Sequence, residues 1–131
     1  DPQDAPEIAS IPFGTLGYGD SVPCVAVVVG SLDNYPSPRD RHVIYIDGAL
    51  SAMSLMFSLE TLGLSSCPIN WPDFGPLESK MAKTLGLSAF ERPIMLIAIG
   101  YPDRSIPIAY SKKKFIGQIR EYRSGTESKA G

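Results

Sequence analysis

The sequence predicts a single domain of mixed α+β or α/β class. Two short runs rich in β-branched and apolar residues, PCVAVVVG at Pro23 to Gly30 and RPIMLIAIGYP at Arg92 to Pro102, are bounded by turn formers and read as strands buried on both faces. Between them a proline-free stretch, VIYIDGALSAMSLMFSLETL, rich in Leu, Met and Ala, predicts a long helix from Val43 to Leu62. The order strand, helix, helix, strand, helix places both strands in one layer with helices packed on it. The chain has 131 residues, enough for one ordinary core.

Taken in order, residues 1–21 carry Pro and Gly without a sustained period and read as an irregular lead to a core of residues 22–122. SLDNYPSPRDRH, with two prolines, reads as an exposed excursion before the long helix. Gly63 closes that helix as a left-handed C-terminal residue. Along it Gly48, Ser51, Ser54, Ser58 and Thr61 recur at spacings of three and four, a stripe of small residues that predicts a close neighbour, internal or across a subunit interface. SSCPINWPDFGP, Ser65 to Pro76, contains three prolines and reads as neither helix nor regular strand. Leu77, Met81 and Leu85 line the core face of a second helix, LESKMAKTL, stopped by Gly86. A last helix is predicted near Lys113 to Tyr122, and residues 123–131 should fray.

Composition excludes several classes. The net charge is −2, with Lys and Arg gathered late in the chain, so the broad basic face of a nucleic-acid binder is missing. Cys24 and Cys67 form neither a CxxC pair nor a metal set and read as buried thiols. There is no basic-then-apolar leader, and apolar runs such as MLIAIG fall short of a membrane span, so a cytoplasmic location without membrane contact is expected. The sequence opens on Asp1-Pro2 rather than Met, which suggests a processed or partial chain. His42 is the single histidine and has no nucleophile or carboxylate companion, Asp40 and Asp47 included. The glycines of GTLGYGD precede a strand instead of following one, which inverts the order of a dinucleotide fingerprint.

A site without catalytic side chains suits a cofactor that carries its own chemistry. A helix ending in ETLGLSSCPINW, followed by ERPIMLIAIGYPD and the basic YSKKKF, resembles the nitroreductase family of FMN-dependent oxidoreductases over about Val22 to Ile119. The resemblance implies a three-layer α/β/α sandwich with a mostly antiparallel sheet, lacking the family's N-terminal helices. It implies FMN as cofactor, NADH or NADPH as donor, and a small acceptor such as a nitro compound, quinone or enone. Pro68, Ile69 and Asn70 would face the flavin ring with Trp71 beside them, and Lys112 and Lys114 would hold the phosphate. No metal site and no catalytic side chain are expected. The resemblance further implies a homodimer, with the Val43 to Leu62 helix at or near the interface, and the missing N-terminal elements make the chain a fragment, one part of a cleaved or co-folded chain whose other segment supplies them, or a divergent short relative. The alternative reading is a flavin-free binding or accessory domain.

Overall fold

In the computed structural model, which describes residues 3–108 and 110–122, the apolar run late in the chain is the axis of the sheet. This strand, β3 (Glu91–Gly100), lies between β1 (Cys24–Ser31) and β2 (Ser65–Asn70) and is antiparallel to both. Among the described residues only β3 has neighbours on each side, so Pro93, Ile94, Leu96 and Ile97 are buried. β1, expected to be buried on both faces, is an edge strand; most of it is half-buried, and Cys24 and Val29 are exposed. The remaining elements are α1 (Asp4–Ala9), α2 (Val43–Thr61), α3 (Gly75–Leu85) and α4 (Ile116–Ile119), with short 3-10 turns before β1 and before α2.

The register sorts the side chains onto two faces, because successive strand residues point to opposite sides. Val25, Val27, Leu96, Ala98 and Ile69 share one face and pack with Ile8 of α1, Ile11, Trp71, and Leu77, Met81 and Leu85 of α3. α2 covers the other face, touching all three strands. Its closest approach is at Gly48, where an added β-carbon would stand 2.8 Å from Ile94 Cδ1 and 3.4 Å from Val28 Cγ1. The result is the three-layer α/β/α arrangement expected, with a wholly antiparallel sheet among the described residues.

Several local expectations change. Within the lead expected to be irregular, Asp4–Ala9 is helical; Pro6 sits in the first turn, where its missing N–H breaks no helical bond. Ser65–Asn70 is a strand, because a proline is tolerated on a sheet edge. The long helix ends as predicted before Gly63 (φ 73°), and α3 ends before Gly86 (φ 67°) but begins two residues earlier than expected, with Pro76 in its first turn. α4 is one turn, shorter than the helix expected over Lys113 to Tyr122. The tail, residues 123–131, lies outside the described residues.

Both cysteines are exposed, not buried. Cys24 pairs with Ile99 and Cys67 with Ala98, so they stand on opposite faces of the sheet with β3 between them. That geometry rules out a bridge within the chain. The small-residue stripe of α2 is used in two ways. Gly48 packs tightly, whereas Ser54, Ser58 and Thr61 are exposed and donate their hydroxyls back to Leu50 O (3.0 Å), Ser54 O (2.9 Å) and Ser58 O (2.7 Å). α2 is also long and apolar enough to span a membrane by length and composition, with mean hydropathy 1.3. In the fold it is one layer of the domain, with Ile44, Gly48, Ala52 and Leu59 buried.

Candidate functional site

β2 positions the residues that the sequence singled out. Proline has no N–H to give to a ladder, so Pro68 is accommodated where its nitrogen points away from β3. With a period of two, the backbone N–H of Asn70 points outward as well. Pro68 and Asn70 are exposed, and the free edge there offers an amide side chain and backbone polar groups. Ile69 (3% exposed) and Trp71 (8%) turn the other way, into the core with Ile11, Met81 and Leu96. Any contact from those two toward a ligand at the edge therefore comes from the backbone. Trp71 is not free within the core: its indole Nε1 donates to Glu78 Oε1 at 2.7 Å.

At the start of β2, a shallow hollow of about 220 Å³ is lined by Pro23, Ser65, Ser66, Cys67, Ala98, Ile99, Gly100 and Tyr101. Nearby, burial and then the Cys67 thiol push the Tyr18 phenol above its ordinary pKa. Phe13 and Phe74 meet in a tilted pair with centroids 5.7 Å apart and ring planes at 48°, joining the turn after α1 to the residue that precedes α3.

Lys112 and Lys114 lie on the arm that leaves the sheet after Gly100. Gly100 pairs with Ser65, so the arm departs beside the first residue of β2. Its described residues, Tyr101 through Tyr122, are exposed. Lys113 Nζ donates to Ser111 Oγ at 3.3 Å, while Lys112 and Lys114 extend into solvent. The structure thus groups Pro68 through Trp71 on one strand end and the two lysines on a neighbouring arm. Among the described residues no hydrogen bond or ion pair joins the two groups. Early in the arm, Asp103 Oδ1 accepts from Ser105 N (2.9 Å) and Ser105 Oγ (2.6 Å), which holds its carboxyl below the usual pKa.

Elsewhere the polar side chains serve local structure. His42 occupies the N-cap of α2 with Nδ1 3.2 Å from Arg39 O, an ordinary helix-start role. Tyr35 donates to Asp47 Oδ2 at 2.5 Å, tying the excursion before α2 to the helix. No cluster of His, Cys, Asp and Glu among the described residues could hold a metal ion. Glu78 does not stand out in the sequence as a site residue. The signal available was Pro76, which marks the first turn of α3 and so places Glu78 near the helix N-terminus, on the side of the preceding tryptophan.

These features define a three-layer α/β/α domain whose open edge strand presents backbone and amide groups, with the exposed Cys67 thiol beside them and, among the described residues, no metal-binding cluster. The Nitroreductase family model matches residues 7–101, and the chain belongs to the nitroreductase family. No curated protein matches it by sequence. Among solved structures, the chain is similar to an FMN-dependent nitroreductase from Clostridium difficile R20291, with TM-score 0.73 and 16% identity over 95% of this chain and 71% of that one. A nitroreductase family protein from Streptococcus pneumoniae TIGR4 gives TM-score 0.72 and 19% identity over 94% and 76% of the two chains. A nitroreductase-like protein from Bacillus cereus gives 0.60 and 21% over 82% and 54%. At these identities the likeness is one of fold.

Proposed function

We propose that the protein works as a cytoplasmic FMN-dependent oxidoreductase, in which the bound flavin supplies the chemistry that passes hydride from NADH or NADPH to a small electron-poor acceptor such as a nitro compound, quinone or enone. The observation that carries this reading is the open edge of β2. A flavin ring is recognised through the polar atoms at its rim, and the exposed Asn70 amide and outward backbone groups match that need. The proline stiffens the strand, so little further ordering is required on binding. Lys112 and Lys114 each carry three donors on a flexible stem, which suits a phosphate bearing nearly two negative charges. The donor set therefore fits FMN, with the strand toward the ring and the lysines toward the phosphate. The FMN-dependent nitroreductase among the similar structures supports the same cofactor.

A homodimer belongs to this proposal. Ile46, Leu50, Met53 and Phe57 form an exposed apolar stripe along α2, a surface that a two-fold partner would bury. The test of the cofactor is a comparison of two ligands. Lys114→Ala should weaken FMN binding by about tenfold or more and leave riboflavin, which lacks the phosphate, unchanged. Equal affinity of wild type and variant for FMN would remove the lysine from the site. If folded protein takes up no flavin at all, the accessory-domain reading replaces this one.

A further inference from the structure

Trp71 follows directly on Asn70, the last residue of β2, and its ring is the only aromatic group in the buried cluster of Ile11, Ile69, Trp71, Met81 and Leu96. An indole N–H buried without a partner is costly, so the ring settles where packing and a hydrogen bond are satisfied together. The acceptor is Glu78 Oε1 at 2.7 Å. Glu78 stands in the first turn of α3, where a carboxylate is favoured by the helix dipole. Its second oxygen lies 4.0 Å from Arg92 Nε, and Arg92 Nη1 donates to Ala89 O (2.9 Å) and Glu91 O (2.7 Å). The end of β2, the start of α3 and the start of β3 are thereby joined through one carboxylate.

We propose that Glu78 is a positioning residue: through the Trp71 indole it fixes the backbone pose of Pro68 to Asn70 at the edge of β2. Its value for ligand binding rests on the flavin reading above; the fixing of the strand does not. Holding the ring holds the Cα of residue 71, and with it the direction in which the neighbouring Asn70 amide and backbone N–H are presented. A misplacement of about 1 Å at such a position is enough to weaken recognition strongly.

The experiment compares Glu78→Ala, Glu78→Gln and Trp71→Phe by amide hydrogen exchange of the flavin-free protein and by FMN titration. Glu78→Gln keeps an oxygen that accepts from the indole; the other two abolish the bond. Exchange at Cys67 and Ile69 should quicken by about tenfold in Glu78→Ala and Trp71→Phe, remain as in wild type in Glu78→Gln, and be unchanged in every variant at Val25 and Val27 of β1. FMN affinity should fall in the same order, and combining Glu78→Ala with Trp71→Phe should cost clearly less than the sum of the two single changes, because they share the indole bond. Unchanged exchange in Glu78→Ala, or a Glu78→Gln protein that behaves like Glu78→Ala, would overturn the proposal, the latter by assigning the effect to the charge beside Arg92. If Glu78→Ala does not fold, Trp71→Phe against Glu78→Gln decides the same question. Altered exchange with unaltered FMN affinity would overturn the ligand half. Altered exchange in a protein that binds no FMN would sink the flavin reading and leave the fixing of the strand supported.

Discussion

Replacing Gly48 with alanine sets two effects of known size against each other. In a helix interior alanine is favoured over glycine by about 1 kcal/mol, so a free surface would gain stability. Gly48 is not at a free surface: the new methyl would lie 2.8 Å from Ile94 Cδ1 and 3.1 Å from Ile94 Cγ2. Ile94 Cδ1 also stands 2.8 Å from where Gly30 would carry a β-carbon, so it fills a slot left by two glycines and has little room to retreat. Overpacking of this kind costs about 1–3 kcal/mol, and its upper half fits a branched neighbour held on both sides. The net expectation is a loss of about 1–2 kcal/mol, a fall in Tm of roughly 3–6 °C for a chain of this length. Urea and thermal unfolding followed by circular dichroism would measure it. Ile94→Val removes Cδ1 at a cost of about 0.5–1.5 kcal/mol by itself, and in that background Gly48→Ala should cost clearly less than in the wild type, the 3.1 Å contact with the retained Cγ2 being what remains. A Gly48→Ala protein more stable than wild type with Ile94 intact would refute the packing of α2 on the sheet described above.

Met81 has no exposed surface and sits at the centre of the α3 face, so Met81→Ala should cost about 2–5 kcal/mol in urea unfolding, a large share of an ordinary domain's stability. The bond from Tyr35 to Asp47 raises the phenol's pKa above its ordinary value, through the hydrogen bond first and burial second. A raised pKa means the contribution is complete below the unfolded value near 10 and is lost as pH climbs through the folded value. In a phenolate absorbance titration, Asp47→Asn should therefore bring one late-titrating tyrosine back toward the others, and an unchanged titration curve would contradict the bond. For Asp103 the sign is opposite. Its carboxyl is held low by Ser105, so the turn should persist at neutral pH and loosen only on acidification through that lowered value, visible as a pH-dependent shift of the Ser105 amide resonance that Ser105→Ala diminishes.

The long elements were legible because their signals are redundant. α2 has twenty proline-free residues' worth of apolar pattern and a glycine stop, α3 has Leu77, Met81 and Leu85 in helical register, and β3 contains an uninterrupted apolar run from Pro93 to Gly100. β2 was not legible because Cys67-Pro68 breaks both the β-branched composition and the donor pattern of a strand, and only its place at the sheet edge makes the proline harmless. α1 was hidden by Pro6, since nothing local says that the proline falls in a first turn rather than an interior one. The exposure of the cysteines follows from edge positions, which are a property of strand order and not of sequence. For the candidate site, the sequence singles out the segment Pro68 to Trp71, but the inward turn of Ile69 and Trp71 could be seen only once the segment was known to be a strand with a side-chain period of two. Glu78 becomes a partner of Trp71 only through the bend that brings α3 back along the sheet.

The proline in the middle of β2 also decides how the molecule meets its own kind. Bare sheet edges are templates for growth, because an unpaired row of N–H and C=O groups accepts any extended chain that passes. On the β2 side such a chain would meet a gap where Pro68 offers no donor, on a strand of only six residues, so strand addition there would start and stall. The opposite edge, Val25 to Val28, has no such interruption. Amyloid-like or domain-swapped growth of this protein, under conditions that drive it, should nucleate on β1 and leave the β2 edge uncovered in the aggregate.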